Sequence, residues 1–267
     1  MDKANLILGA ASLPGKLFLR VAAILVLFTL TGSASAMASA PVAGESSLRV
    51  AEAAAVETRT NGKIFGTDPA EGRYTCSGTA LSTPSRSIVL TAGHCVVENR
   101  RWGRNIVFVP AYDHGARPFG TFVASAVYTT KQWRRSENPD FDVAAIKVKP
   151  NRYGALGDVV GDREWTTGRS RFSSFQIFGY PAGALQGESL RACDTQGLGS
   201  DPLTDRFSGP PTLPGICDMA GGSSGGAWIV EGRYVDGVTS YGYTRRHTRL
   251  YSPYFGAAIG RFLAGLP

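Results

Sequence analysis

Three short segments in fixed order constrain this chain of 267 residues more than anything else in it: Thr91-Ala92-Gly93-His94-Cys95, Phe141-Asp142-Val143-Ala144 and Gly222-Ser223-Ser224-Gly225-Gly226. A serine hydroxyl is a weak nucleophile at neutral pH. It needs a neighbouring base to take its proton, and the base needs a third group to hold its tautomer. His94, Asp142 and Ser224 supply those three parts, separated by 48 and then 82 residues. A fold that uses them must bring three distant loops to one point, and the chemistry they point to is acyl transfer.

Chain order narrows the architecture. In an α/β-hydrolase the serine sits on a strand-to-helix elbow and its partners follow in the order Asp, His. Here 43 residues follow Ser224, and the downstream histidine, His247, is 23 residues on. That leaves no room for the intervening strands and helices. Moreover, Gly225-Gly226-Ala227-Trp228-Ile229-Val230 runs into a strand-like segment. The serine therefore belongs on a glycine-rich loop ahead of a strand.

The rest of the chain reads as β structure. Hydrophobic residues make up 43% and charged residues 18%, a globular balance, and 33 glycines suit many tight turns. Short apolar runs predict strands at Tyr74–Leu81, Ser87–Thr91, Asn105–Val109, Thr121–Tyr128, Val143–Val148, Phe175–Phe178, Ala227–Val230 and Tyr234–Val238. Turn formers such as Asn61-Gly62, Thr83-Pro84, Asn138-Pro139 and Ser208-Gly209-Pro210-Pro211 separate them. Helical periodicity is confined to the tail, about Pro253–Leu266. Regularly spaced short strands argue for a barrel or a sandwich.

The first forty residues differ. Lys16 and Arg20 precede the apolar run Val21–Leu30, and Ala34-Ser35-Ala36 and Ala38-Ser39-Ala40 fit a small-residue cleavage site. The run falls short of the roughly 20 residues of a membrane span, so residues 1–40 read as a signal peptide. Residues 41–60 read as a pro-segment or a mobile arm. The mature protein is expected to be secreted or periplasmic, monomeric and without stable membrane association. In an oxidising compartment an even number of cysteines pairs, and nearest-in-sequence pairing gives Cys76–Cys95 and Cys193–Cys217. No two cysteines have the close spacing of a zinc site, so neither metal nor cofactor is expected. The net charge of +7 falls to +5 without the first forty residues, which hold Lys3, Lys16 and Arg20 against Asp2. The remaining basic residues are scattered, apart from Arg245, Arg246 and Arg249. Nucleic-acid binding asks for a concentrated stripe and is not expected.

Together the three segments resemble the active-site signatures of chymotrypsin-like serine proteases, and Cys76-Ser77-Gly78-Thr79 is similar to that family's half-cystine strand. The resemblance runs from about Gly62 to the C-terminus. It is closest to the secreted bacterial branch with the glutamyl endopeptidases, where Gly-Gly-Ser-Ser-Gly-Gly and a Gly-Tyr-Pro segment, here Gly179-Tyr180-Pro181, also occur. It implies an all-β fold of two six-stranded antiparallel β-barrels with a short C-terminal helix. The first barrel, 61–155, would carry His94 and Asp142; the second, 156–267, would carry Ser224. It also implies a serine endopeptidase acting on protein or peptide substrates. Ser224 would be the nucleophile, His94 the base, Asp142 the group holding it, and the N–H groups of Gly222 and Ser224 the oxyanion hole. Asp140 competes with Asp142 because the two would share a strand face, but Asp-Val-Ala favours Asp142. Only Ser224, not Ser223, has glycine at both flanking offsets. His114 and His247 read as surface residues.

Substrate preference is written less clearly. Ser240, Tyr241 and Gly242 resemble the segment that lines the primary specificity pocket. Thr239 stands where glutamyl endopeptidases have a histidine. Asp218, six residues before Ser224, is at the offset of the pocket aspartate of trypsin-like enzymes; buried there, it would favour Arg or Lys. Ser223 carries no charge, so activation by pairing a newly freed amino terminus with an aspartate at that position is not available. Two rival readings use the same residues: a catalytically silent homologue acting as a binding protein, and an esterase.

Overall fold

The regular structure of this glycine-rich, β-branched sequence is mainly short antiparallel strands. The computed structural model describes residues 51–52, 59–68, 70, 72–183, 186–219 and 221–267. The signal-like segment 1–40 and most of 41–60 lie outside the described residues. Strands Asn61–Thr67, Arg73–Leu81, Ile88–Thr91, Ala144–Val148, Phe122–Thr129 and Arg104–Pro110, in that spatial order, close into a six-stranded barrel. Closure removes exposed edges, and the interior is filled by residues such as Ile64, Val89, Phe108, Phe122 and Ile146.

The second half pairs as two sheets. One runs Ala51–Glu52, Arg191–Gln196, Ser174–Gly179, Ala227–Val230, Tyr234–Val238; the other runs Leu213–Ile216, Arg246–Ser252, Tyr241–Tyr243. A single bridge, Gly197 to Gly215, links their strand ends, and a core of Phe175, Ile177, Trp228 and Leu250 lies with the Cys193–Cys217 disulfide. The all-β, chymotrypsin-like architecture with a C-terminal helix is as the sequence implies. Its second half, though, is hydrogen-bonded as two sheets instead of one unbroken ladder. Ala51–Glu52, from the segment read as an arm, forms an edge strand against Ala192 and Arg191. Among the described residues no helix is long and apolar enough to cross a membrane.

A third apolar cluster welds the two halves. Leu81, Leu90, Val109 and Val143 of the first pack with Phe178, Ile229, Val238 and Phe255 of the second, joined by Ile259 and Leu263 from the helix Ala257–Ala264. Burying each such side chain stabilises by about 1.5–3 kcal/mol. The active-site loops open above this seam.

All eight predicted strands are present within a residue or two of their expected ends. Eight further strands among the described residues, three of them only two residues long, were not legible. Asn61-Gly62 reads as a turn but begins a strand; the glycine is there for packing, since a Cβ would lie 2.5 Å from the Phe108 ring. Leu213–Ile216 contains Pro214 and Gly215 and is the end strand of its sheet, where proline is tolerated.

One buried charge sits apart from the site. The Asp236 carboxylate is buried, its Oδ1 has no partner among the described residues, and burial pushes its pKa up to about 7 despite the attraction of Arg169. An unfolded aspartate gives up its proton near 4. Between those values the native state binds more protons than the unfolded one, so stability falls as pH rises through this window and levels off above it. Urea unfolding midpoints from pH 4 to 8 are expected to decline in the wild type and to decline less steeply in Asp236→Asn, where Asp140 and His94 still contribute; parallel curves would contradict this.

Candidate active site

The site is assembled from the ends of elements in both halves. The strand Ile88–Thr91 runs into a single 3₁₀ turn, Gly93–Cys95, that presents His94. Gly93 is required there, since a Cβ would lie 2.6 Å from the Trp133 ring and 2.8 Å from Asp142 Oδ1. Cys95 is bonded to Cys76 on the neighbouring strand Arg73–Leu81, which fixes the histidine turn to the barrel wall.

Asp142 ends the turn Pro139–Phe141 and is fully buried. Its Oδ1 accepts the backbone N–H of His94 at 2.8 Å. Its Oδ2 lies 2.8 Å from His94 Nδ1 and accepts the Ser240 hydroxyl at 2.5 Å. The imidazole is thereby oriented with its proton on Nδ1. Nε2 is buried and has no hydrogen-bond partner among the described residues. Burial pushes the imidazolium pKa down, but the charge and hydrogen bond of Asp142, with a smaller push from Glu98, outweigh it and hold His94 above the ordinary histidine value. Asp140 does not share this face. Because the segment is a 3₁₀ turn and not a strand, its Oδ2 points away, accepts Gly209 N–H at 3.1 Å, and is raised by burial to about pH 6.

Ser224 is held by its backbone. Its carbonyl accepts Ser77 N–H at 2.7 Å, and its neighbours Gly225 and Gly226 interlock with Thr239 through bonds of 2.7 and 2.9 Å. The Cys95 sulfur lies 3.7 Å from the Ser224 carbonyl oxygen, so the residue next to the histidine touches the serine loop. Gly222 has φ +94°, and a Cβ there would stand 2.6 Å from the Tyr180 carbonyl oxygen. Only glycine fits this turn. The N–H groups of Gly222 and Ser224 donate to no protein acceptor among the described residues. Two unspent amides beside a serine can stabilise a developing oxyanion.

A cavity of about 230 Å³ opens next to Ser224. Its walls include Asp218, Met219, Ser240, Tyr241, Gly242 and Leu250, so all four residues expected to bind substrate line it. Asp218, however, is exposed. The buried carboxylate that would single out Arg or Lys is not built here. His247, exposed as expected, lines the same cavity with Arg249, whereas exposed His114 pairs with Asp113 far from it. Cys76, His94 and Cys95 cluster closely, but both sulfurs are spent in the disulfide and offer no metal-binding thiolate.

Two positioning residues escaped the sequence reading. The Ser77 hydroxyl donates to the Gly222 carbonyl at 2.8 Å and accepts Tyr180 N–H at 2.9 Å, bracing the oxyanion loop. Asp201, buried on the turn Pro202–Thr204, accepts the hydroxyls of Tyr241 and Tyr243 at 2.9 and 2.6 Å. It thus anchors both ends of the pocket-lining segment from below. Ser77 lies within the half-cystine segment, which drew attention only for its cysteine, and Asp201 lies in no motif; the signal is only that each is a polar residue with no obvious local role.

Comparison with known proteins gives the family. Residues 51–260 match the family model for trypsin, and the chain belongs to the trypsin family, making it a serine endopeptidase, a hydrolase. Among solved structures it is similar to protease Anisep from Arthrobacter nicotinovorans, at 36% identity and a TM-score of 0.71, over 76% of this chain and 93% of that one. It is also similar to the thermostable serine protease AL20 from an extremophilic microorganism, at 29% identity and a TM-score of 0.72, over 78% and 97%. A Glu endopeptidase shares the fold at 20% identity, with a TM-score of 0.63, over 80% and 94%. A stretch of 89 residues, 33% of this chain, is 32% identical to an extracellular metalloprotease of Bacillus subtilis and spans 26% of that protein's length.

The base must be neutral to accept a proton, so activity should rise with pH through the His94 pKa. Asp142→Asn removes the charge that raises that pKa. The acid limb of kcat/KM is expected to shift to lower pH while the rate falls by about 10⁴, the effect such a change has in serine proteases. An unmoved limb would contradict the role given to Asp142.

Proposed function

We propose that this chain is an exported endopeptidase that cleaves peptide bonds through an acyl-enzyme on Ser224. The observation that carries this reading is the state of His94. Its Nδ1 is committed to a buried carboxylate, while its Nε2 is buried and without a partner, on a loop disulfide-tied beside the serine loop.

His94 Nε2 takes the Ser224 proton as Oγ forms a bond to the scissile carbonyl carbon. The carbonyl π pair moves to oxygen, which meets the N–H groups of Gly222 and Ser224. Asp142 stabilises the imidazolium. Collapse breaks the C–N bond, and the Nε2 proton goes to the leaving amine. Water, deprotonated by the same His94, then releases the acid and restores Ser224. Removing one oxyanion donor costs about 10²–10³ in rate. The side chain on the acyl side enters the cavity walled by Asp218, Ser240, Tyr241 and Gly242. Export is supported by the signal-like residues 1–40 and by the two disulfides, which persist in oxidising compartments.

A fluorophosphonate probe is expected to label the purified, processed protein stoichiometrically on Ser224, leave Ser224→Ala unlabelled, and block hydrolysis of an unfolded protein substrate. An unlabelled wild type would favour the silent binding protein. Labelling with ester but no peptide hydrolysis would favour the esterase.

A further inference from the structure

The fold gathers basic residues that are scattered in the sequence. Val97–Glu98 and Arg101–Trp102 form a hairpin, Val97 opposite Trp102 and Glu98 opposite Arg101. Its tip, Asn99-Arg100, has φ +50° and +61°. Tips of this kind favour asparagine followed by glycine, because both central residues need positive φ. An arginine at the second position is held in a strained conformation, and such strain collects at functional sites. The helix Lys131–Ser136 packs beside it: Trp133 Nε1–H donates to the Val97 carbonyl at 3.0 Å, Arg100 N–H donates to Glu137 Oε1 at 3.3 Å, and the Arg134 guanidinium lies 5.7 Å from the Trp102 ring centre.

Arg100, Arg101, Lys131, Arg134 and Arg135 are all exposed there, around a Trp102 that is itself 37% exposed. None of the five makes an ion pair among the described residues, whereas Arg86, Arg169 and Arg233 elsewhere each have a carboxylate partner. The carboxylates closest in the same elements, Glu98 and Glu137, number two against five cations, and Glu98 is half-buried and faces His94. The patch also touches the catalytic centre: Trp133, on its helix, stands edge-on to His94 with ring centres 6.2 Å apart.

We propose that this hairpin and helix form a docking surface for an acidic stretch of the polypeptide substrate, continuous with the segment entering the cleft. The proposal rests on the endopeptidase reading. Unpaired cations at the rim of a cleft raise local substrate concentration and on-rate, in a salt-dependent way. A polypeptide is favoured over nucleic acid because the cations form a compact group interrupted by two carboxylates, not a stripe that follows a phosphate backbone.

The test has a binding arm and a kinetic arm. A fluorescent oligo-glutamate peptide should bind Ser224→Ala, weaken steeply with added salt, and bind about tenfold more weakly when Arg100→Gln, Arg101→Gln and Arg134→Gln are added. In the active enzyme, a peptide with an acidic tail should be cleaved about tenfold faster at low salt than the same peptide with an uncharged tail. The three glutamine substitutions should erase that difference and leave the uncharged peptide unchanged. Equal cleavage of the two peptides, binding indifferent to the substitutions, or tighter binding of a DNA duplex of matched charge would each overturn the proposal. If neither peptide is cleaved, the endopeptidase reading fails by itself, and the binding arm alone decides this one.

Discussion

The buried carboxylate of Asp142 is the constraint around which the rest is arranged. Removing an ionised aspartate from water costs several kcal/mol unless its lone pairs are met. Three donors meet them: the backbone and Nδ1 of His94 and the hydroxyl of Ser240. Two donors come from the histidine turn of the first barrel and the third from the second half. The same carboxylate that orients the base therefore ties the pocket-lining segment to it, and Asp201 holds that segment from the other side.

A parallel tie runs through the strand Arg73–Leu81. Cys76 anchors the histidine turn, and its neighbour Ser77 holds both the Ser224 carbonyl and the Gly222 carbonyl. Base and oxyanion donors thus share one rigid strand. Preorganised donors of this kind need no reorganisation at the moment of reaction. The apolar seam below, with Phe178, Val143 and Phe255, keeps the two halves from sliding past each other.

What was legible in the sequence was local. The motifs around His94, Asp142 and Ser224 carry their own geometry, because Gly93 and Gly222 are demanded by contacts within the site. Strands with apolar runs were readable for the same reason. Leu213–Ile216 and Arg246–Ser252 were not, since their pairing is set by partners distant in sequence and not by alternation. Asp140 shows the limit in miniature: two residues from Asp142, it would share a strand face, but the 3₁₀ turn at Pro139 sends it to Gly209 instead. Asp218 stands at a telling offset, yet its exposure removes the desolvation that would make it selective. The basic patch was invisible because Arg100 and Arg134 are brought to one surface only through the packing of a hairpin on a helix.

A crystal structure of the processed protein inactivated with a fluorophosphonate tests this arrangement of Ser224, His94 and Asp142. The expected adduct has a phosphorus–Oγ bond on Ser224 and a phosphonyl oxygen within hydrogen-bond distance of the N–H groups of both Gly222 and Ser224. Asp142 is expected to keep its contacts to His94 and Ser240. An adduct on another residue, or a phosphonyl oxygen turned away from those two amides, would contradict it.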